Sequence, residues 1–330
     1  DGNLLRVNLK DKTRQTIQGF PNDRADSIRV LDRRDNTGIF EIVLDPDFVN
    51  TSQVYISYAA QTEQGTTTKV IRARLVNNQL RQIKTLFLAE PFTSGLFHYG
   101  GGMAFGPDGK LYFTIGERLY NEIDEPPVPI AQDLTDRRGK IYRLNPDGSV
   151  PRDNPDFGPE AIPGMYAVGI RAAQGICVEP RSGKLWFSEH GTRQGDEINV
   201  LKGGANYGWP IITTGGYRSQ DYVPPKMEGT DFSDPIWYWP HTVAPTGLCF
   251  YTGDEFPEWK NDLLVPGLSR GSLWRFRMEG EKIKSAEELF VDDRVRARKV
   301  VQSPEGKIYL LSDEKNGRII RIKNAAYSDR

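Results

Sequence analysis

Residues 106–109 (Gly-Pro-Asp-Gly) and 111–114 (Leu-Tyr-Phe-Thr) form a turn followed by a short apolar and aromatic run. Proline presets φ in such a turn and glycine accepts a positive φ, so the stretch predicts a tight turn that leads into a β-strand. Turns built from proline and glycine precede two more such runs, at 179–183 and 303–306. Runs of this kind occur five times, at 54–57, 111–114, 185–188, 263–265 and 308–311.

A second type of strand also repeats along the chain. It carries an arginine between apolar neighbours in all but one of its six copies. The copies are residues 5–7, 71–73, 142–144, 197–200, 274–276 and 320–322. Short strands and turns that repeat at blade-length intervals, without a helical period, are typical of a β-propeller.

These repeats predict an all-β fold, in which residues 1–330 form a single domain, a six-bladed β-propeller of four-stranded antiparallel sheets. Two strands expected before Leu4 are missing from the sequence, so we expect the first blade to be incomplete. A closure with five blades is the alternative. An array of two-sheet sandwiches is disfavoured because sandwiches lack a repeat of blade length.

The composition excludes some classes of protein. The chain has 43 Lys and Arg residues against 44 Asp and Glu, a net charge of −1, whereas nucleic-acid binding rests on clustered positive charge. No apolar stretch approaches the roughly 20 residues that span a bilayer, so we expect no membrane span and a soluble chain from which any export signal has been removed. Cys177 and Cys249 are too few for a disulfide scaffold.

Three loops depart from the repeat: residues 97–102, 169–175 and 188–199, the last continuing to 206–210. Propellers bind ligands in the central funnel, on loops that leave the inner strands. The chemistry of this protein is therefore expected in these loops.

Several side chains in this part of the sequence have two interpretations each. His98, next to three glycines, is suited to take a proton near neutral pH, or it is a structural histidine. Glu189, Asp196 and Glu197 offer oxygen ligands of the kind that calcium prefers, or they are solvated turn residues. The aromatic cluster 237–241 stacks on a planar cofactor or a sugar ring, or it packs between blades. The sequence has no Walker loop, GxGxxG or GxSxG motif, which disfavours nucleotide hydrolases, Rossmann dehydrogenases and α/β-hydrolases.

The order of the motifs resembles that of a known family, the pyrroloquinoline quinone (PQQ)-dependent soluble glucose and aldose sugar dehydrogenases. The matching segments are His98 with its glycines, 169–175, EHGxxxGDEIN at 189–199, NYGWP at 206–210 and Arg-Ala-Arg at 296–298. The most specific element is EHGxxxGDEIN with NYGWP seven residues beyond it. The resemblance covers nearly the whole chain and implies a six-bladed propeller that is periplasmic or secreted.

The resemblance also implies a role for each matching residue. His98 is the general base that takes the proton of the anomeric hydroxyl while hydride passes to PQQ, and Arg171 stabilises the negative charge of the reduced quinone. The carbonyls of Gly191 and Thr192 hold a calcium that polarises the quinone. Glu197 and Tyr207 belong to a second, structural calcium site. The cofactor-binding set is Asn36, Arg171, Gln174, Tyr217, Arg270, Arg296 and Arg298, of which the last two clamp carboxylates.

The chain departs from the family at four cofactor positions. Asn36, Ala172, Ser269 and Lys299 stand where the family has glutamine, asparagine, lysine and aspartate. Each lost hydrogen bond to a charged group weakens binding by about 1.5–3 kcal/mol unless another residue replaces it. The candidates to replace these bonds are Arg270, Arg294 and Lys299.

Three classes of function remain open. The first is a calcium- and PQQ-dependent oxidoreductase that oxidises the anomeric hydroxyl of aldose sugars to lactones and passes electrons to an external acceptor. The second is a non-catalytic propeller that binds a carbohydrate or a protein partner after the loss of cofactor-binding residues. The third is a propeller lactonase, which the arginine beside a general base disfavours. The oligomeric state stays open.

Overall fold

The computed structural model describes residues 3–25, 37–119 and 121–326. A two-stranded ribbon comes first, formed by β1 (Leu5–Val7) and β2 (Arg14–Thr16). One short helix, α1 (Phe48–Thr51), and two 3₁₀ turns, Glu122–Asp124 and Pro257–Trp259, lie between strands. In these described ranges no helix is long and apolar enough to cross a bilayer.

Five antiparallel sheets follow the ribbon, and we call them blades I to V. Blade I contains β3 (Ile39–Leu44), β4 (Gln53–Thr62), β5 (Gly65–Val76) and β6 (Gln79–Leu88). Blade II contains β7 (Gly100–Phe105), β8 (Leu111–Ile115), β9 (Lys140–Leu144) and β10 (Met165–Val168). Blade III contains β11 (Ala173–Val178), β12 (Leu185–Glu189), β13 (Asp196–Val200) and β14 (Trp237–Trp239). Blade IV contains β15 (Cys249–Phe250), β16 (Leu263–Gly267), β17 (Ser272–Glu279) and β18 (Lys282–Leu289). Blade V contains β19 (Ala297–Gln302), β20 (Ile308–Ser312) and β21 (Ile319–Ile322).

The blades are arranged around an axis with their first strands innermost. Strand β3 contacts β7, β7 contacts β11, β11 contacts β15, and β15 contacts β19. Within each blade the strands follow one another outwards in sequence order. This arrangement is a propeller, so the predicted all-β propeller is confirmed.

Apolar side chains between neighbouring blades form the core. In β8 the side chains of Leu111, Phe113 and Ile115 pack against blade I, whereas Tyr112 packs against blade III, as the two-residue period of a strand requires. The ring centroids of Phe87 in blade I and Phe113 in blade II are 5.2 Å apart. Full burial of one such large side chain contributes roughly 1.5–3 kcal/mol, so the stacking of blades stabilises the ring.

The predicted number of blades is wrong. Across the described residues the structure shows five blades of three or four strands, not six of four, because a repeated strand makes a blade only when inner strands accompany it. Residues 5–7, the first arginine-bearing segment, form β1, which pairs in the described part of the chain with β2 and not with a full sheet. Blade V has three strands, whereas blade I, the first full sheet, has four. The expectation of an incomplete first blade is thus only partly met.

Antiparallel pairing places the start of each first strand beside the end of the second strand. Ala173 pairs with Glu189 in blade III, and Ala297 pairs with Ser312 in blade V. Loops that precede first strands and loops that follow second strands therefore lie at one end of the ring, which we call the upper end.

The inner strands approach each other closely at Gly175. A Cβ atom on this residue would lie 2.5 Å from the carbonyl oxygen of Thr246 and 2.7 Å from the Cα atom of Gly247. A side chain does not fit at this distance, so glycine is required where blades III and IV meet.

Candidate active site

The candidate site lies at the upper end of the ring. His98 precedes β7, Arg171 precedes β11 and Arg296 precedes β19. Glu117 follows β8, and Asp313 follows β20. The pairing of first and second strands thus brings together side chains that are far apart in the sequence.

His98 and Glu117 form a buried pair. Nδ1 of His98 contacts Oε1 of Glu117, and Oε2 of Glu117 accepts the backbone amide of Leu119 at 2.8 Å. The exposed fraction is 9% for His98 and 1% for Glu117. His98 also has a φ of 53°, in the left-handed region that few residues other than glycine adopt.

Burial sets the protonation of this pair. It lowers the pKa of His98 well below its ordinary value, and the charges of Arg171 and Arg118 lower it further. Burial raises the pKa of Glu117 to about 8, against the opposing effect of Arg171. The imidazole is therefore neutral near pH 7, which is the form that accepts a proton.

Arg171 links the pair to the loop after β12. Its backbone carbonyl accepts the amide of Glu117 at 2.9 Å, and its guanidinium donates to the carbonyl of Gly191 at 2.6 Å. The carboxylate of Glu189 accepts the backbone amide of Arg171. The guanidinium carbon lies 5.1 Å from the ring centroid of Trp209, a cation–π contact. Nε of Arg171 is buried and has no hydrogen-bond partner.

Arg296 and Arg298 share one carboxylate. Oδ2 of Asp313 accepts from Arg298 at 2.8 Å and from Arg296 at 3.3 Å. Burial alone would raise the pKa of Asp313, but the charges and hydrogen bonds of the two arginines lower it. Arg298 also donates to Oε1 of Gln174 at 3.3 Å. Both guanidinium groups are thereby held in place at the upper end of blade V.

Lys299 pairs with Glu41 across the gap between blades V and I. The two residues lie on β19 and β3, and the lysine chain passes Gly247, where a Cβ atom would lie 2.4 Å from Cδ of Lys299. Because Gly247, just before β15, has no side chain, the side chain of Lys299 has room to pass.

Two cavities adjoin these side chains. The larger, of about 2610 Å³, extends from the axis outwards between the β1–β2 ribbon and blade V. At the axis it is lined by His98, Gln174, Arg296, Arg298, Lys299 and Glu41. The smaller, of about 20 Å³, is lined by Arg171, Glu189, Gly191, Glu197 and Tyr207 among others. His98 and Arg171 thus line two separate cavities, and Glu117 contacts both residues, His98 with its side chain and Arg171 with its backbone amide.

Two of the predicted cofactor residues, Arg270 and Tyr217, are not brought to the axis. Arg270 donates from Nε to Glu288 on the outermost strand of its blade at 2.9 Å, because its side chain points outwards. Tyr217 donates to the carbonyl of Pro210 at 2.6 Å and packs 6.0 Å from the ring of Trp209. Asn36 lies outside the described residues.

Some of the predicted metal ligands line the small cavity, whereas others are engaged in hydrogen bonds within the protein. Glu197 lines the small cavity, and burial raises its pKa. Burial and the nearby Glu197 raise the pKa of Glu189 to about 8. Thr192 donates its hydroxyl to Glu122 at 3.0 Å. Asp196 is structural, because its carboxylate accepts the amides of Gly191, Val243 and Ala244 at 2.7–2.8 Å.

Ligands for a metal would have to include backbone carbonyls. In residues 3–25, 37–119 and 121–326, no three His, Cys, Asp or Glu side chains are grouped as a metal site. Gly191 and Tyr207 line the small cavity, together with Glu189 and Glu197. The hydroxyl of Tyr207 points elsewhere and donates to the carbonyl of Val200 at 2.6 Å.

Sequence reasoning missed Glu117, Asp313 and Glu41. Each is an ordinary acidic residue in no motif. Glu117 and Asp313 do share one signal. Each comes just after the second strand of its blade, and in both blades a predicted site residue comes just before the first strand. That position predicts proximity once the strand pairing is known.

Comparison with known proteins places these residues in a family. The family model for glucose / sorbosone dehydrogenase matches residues 1–321. The chain belongs to the glucose/sorbosone dehydrogenase family. This confirms the resemblance predicted from the motifs and, with it, the prediction of an enzyme of the sugar dehydrogenase class.

Individual members of the family are similar over most of the chain. Aldose sugar dehydrogenase YliI of Escherichia coli is 32% identical over 295 residues, 86% of this chain and 76% of that protein. Quinoprotein glucose dehydrogenase B of Acinetobacter calcoaceticus is 28% identical over 389 residues, 94% of this chain and 79% of that protein. The PQQ-bound structure of aldose sugar dehydrogenase from Streptomyces coelicolor has a TM-score of 0.75 and 25% identity, over 98% of this chain and 87% of that one.

Proposed function

We propose that this glucose/sorbosone dehydrogenase family member oxidises the anomeric hydroxyl of an aldose to a lactone, with PQQ at the axial cavity as the hydride acceptor and an external acceptor for the electrons. The observation that carries the proposal is a buried neutral imidazole, His98, that faces the same cavity as the guanidinium groups of Arg296 and Arg298. The names of the two relatives and of the PQQ-bound structure support the same activity.

The side chains at the axis fit a planar anion. Arg296, Arg298 and Lys299 carry three positive charges, and Asp313 and Glu41 carry two negative ones. One positive charge is left for a ligand, and arginine matches the carboxylates of a planar cofactor in two-pronged geometry. PQQ carries such carboxylates. Arg296, Arg298 and Gln174 would hold it.

His98 would handle the proton of the reaction. The imidazole would take the proton of the anomeric hydroxyl, and its Nδ1 contacts Glu117. Glu117 fixes the orientation of the ring, as a carboxyl partner does for a catalytic imidazole. The cofactor, when bound, supplies the acceptor for the hydride. Arg171 contributes positive charge near His98, which favours a neutral base.

The small cavity offers oxygen ligands for calcium. The cavity holds about one ion or water and is lined by the carboxylates of Glu189 and Glu197 and by Tyr207. Arg171 lines the same cavity and donates to the carbonyl of Gly191 at 2.6 Å, so the two glutamates would supply the negative charge that holds a cation beside this guanidinium. We therefore assign Glu197, Tyr207 and Glu189 to a structural calcium. A calcium on Gly191 and Thr192 would have to displace or share the contact with Arg171.

Reconstitution tests the proposal. The apoprotein is mixed with PQQ and calcium, bound cofactor is measured after gel filtration, and dye reduction is followed with a panel of aldoses. Uptake of cofactor together with sugar-dependent dye reduction is the expected result. Absence of PQQ uptake at micromolar concentrations would favour the non-catalytic propeller that binds a carbohydrate or a protein partner, and lactone hydrolysis without PQQ would favour the lactonase.

The remaining parts of the proposal concern the setting of the enzyme. A single domain over residues 1–330 and a periplasmic or secreted location agree with the family resemblance. Cell fractionation with a cytoplasmic marker checks the location. Size-exclusion chromatography with light scattering measures the oligomeric state.

A further inference from the structure

Glu122 joins three loops at the upper end of the ring. It lies in the 3₁₀ turn Glu122–Asp124, and only 3% of it is exposed. Oε1 accepts the hydroxyl of Thr192 at 3.0 Å, and Oε2 accepts the backbone amide of Ser219 at 3.2 Å. The amide of Arg218 donates to the same carboxylate. One buried side chain thus contacts two other segments of the chain.

Each of the three loops carries part of the candidate site. The loop of Glu122 begins with Glu117, the partner of His98. Thr192 follows Gly191, whose carbonyl accepts from Arg171. Ser219 belongs to residues 217–222, a segment that we call the roof.

The roof lies near the catalytic pair. Tyr217 packs 6.0 Å from the ring of Trp209, which in turn stacks on the guanidinium of Arg171. The positive charge of Arg218 acts on both His98 and Arg171. The second ring of the roof, Tyr222, lies 5.0 Å from Tyr217.

Two other polar contacts of the roof differ from those of Glu122. Arg193 donates to the carbonyl of Arg218 at 3.2 Å, but this contact is exposed. Tyr217 donates to Pro210, which precedes it in the same loop and so does not tie the roof to another blade. Hydrogen bonds to a buried carboxylate are stronger than either of these.

We propose that Glu122 is a positioning residue that holds the roof over the His98–Arg171 end of the site and thereby determines how tightly the sugar is bound. The proposal rests on the proposed function, because it takes this end as the sugar side. Glu122 touches neither substrate nor the reacting atoms. Its effect is expected in binding, with little change in the chemical step.

Hydrogen–deuterium exchange tests whether Glu122 holds the roof. In Glu122→Gln the side chain loses its negative charge, so the hydrogen bonds from the amides of Arg218 and Ser219 are no longer bonds to a charged group. Exchange at residues 217–222 should rise by about tenfold, because a hydrogen bond to a charged group is lost, while the strands of blades II and III keep their protection. Asp124→Asn, an exposed residue in the same turn, makes the same charge change and should leave exchange unaltered. Unchanged exchange in Glu122→Gln would overturn the proposal.

A second variant covers the case in which Glu122→Gln fails to fold. Thr192→Val removes the hydroxyl that donates to Glu122 but keeps the shape of the side chain. It should raise exchange in the turn of Glu122 and in the roof together. Protection unchanged in both segments would overturn the proposal.

Kinetics of the reconstituted protein separates positioning from a merely structural role. Glu122→Gln should raise KM for the sugar about tenfold and change kcat less than twofold, with Asp124→Asn like the wild type. A fall in kcat at unchanged KM would overturn the proposed role in sugar binding. Failure of the wild type to take up PQQ or to turn over would instead overturn the proposed function, and the exchange data on the apoprotein would still decide whether Glu122 holds the roof.

Discussion

Nδ1 of His98 contacts Oε1 of Glu117, although His98 precedes the first strand of blade II and Glu117 follows the second. The pairing of β7 with β8 makes this contact unavoidable once the hairpin forms. A histidine oriented and kept neutral in this way is the central chemical feature of the upper end of the propeller.

Replacement of His98 by glutamine should abolish turnover and leave cofactor uptake nearly intact. Glutamine keeps a similar volume but has no group that takes a proton near neutral pH, whereas the cofactor is held by the arginines of blade V. The measurements are dye reduction and PQQ bound per chain. His241→Gln makes the same substitution at a ring that lies beside Trp274, away from the axis, and should behave like the wild type. A wild-type rate in His98→Gln would refute the role of His98.

The stability of the protein should fall as the pH rises from about 5 to about 8, in part because of Glu117. Burial raises its folded pKa from 4.5 to about 8, so the folded chain keeps a proton that the unfolded chain has released. The contribution of Glu117 to the free energy of unfolding is complete below pH 4.5 and is lost as the pH rises to 8. The free energy of unfolding falls by at most about 1.4 kcal/mol per pH unit through this group.

Urea unfolding at several pH values measures this slope. Glu117→Gln removes the titrating group, so its free energy of unfolding should depend less on pH between 5 and 8 than that of the wild type. Glu160→Gln, at an exposed position, serves as the control. Equal slopes in wild type and Glu117→Gln would show that Glu117 is ionised in the folded protein.

Binding of PQQ should weaken when Arg298 is changed. Arg298→Gln loses a charged donor and is expected to raise the Kd by about 10- to 100-fold, in line with about 1.5–3 kcal/mol for a hydrogen bond to a charged group. Arg298→Lys keeps the charge but not the forked geometry of the guanidinium, so its Kd should lie between those of the wild type and Arg298→Gln. Equilibrium dialysis gives the Kd values. Arg270→Gln, whose guanidinium binds Glu288 instead, should keep the wild-type Kd, and an equal loss in both arginine variants would contradict the assignment.

Calcium should stabilise the apoprotein through Glu197. A ligand that binds only the folded chain stabilises it by about 2.7 kcal/mol at a concentration 100 times its Kd, which raises the Tm measurably. Addition of a chelator should reverse the rise. Glu197→Gln should lose the response to calcium, whereas the exposed Glu228→Gln should keep it. A calcium-dependent Tm that persists in Glu197→Gln would place the ion elsewhere.

The sequence predicts the strands better than the number of blades. Residues 111–114 and 185–188 lie in β8 and β12 as expected, because turn chemistry and alternation are local properties. The first arginine-bearing segment misled the count, since 5–7 has the pattern of a blade strand but lacks the inner strands of a blade. Strand pairing is a long-range property that the local pattern does not contain.

The motifs predict some residues of the candidate site, but they do not predict contacts that depend on which strands and blades lie side by side. His98, Arg296 and Arg298 are found from the motifs and do line one cavity. Arg270 follows Ser269, which stands at a cofactor position of the family, but the side chain of Arg270 points outwards along blade IV to Glu288. Glu41 and Lys299 lie on separate blades, so only the closed ring reveals their pairing.

Exchange footprinting of the cofactor addresses the site most directly. Peptides from the apoprotein are compared before and after addition of PQQ and calcium. Protection should appear together in the segments around His98, Gln174 and Arg296–Arg298, while the β1–β2 ribbon keeps its rate. Protection confined to other surfaces, or absent at saturating PQQ, would show that no quinone binds between the imidazole and the two arginines.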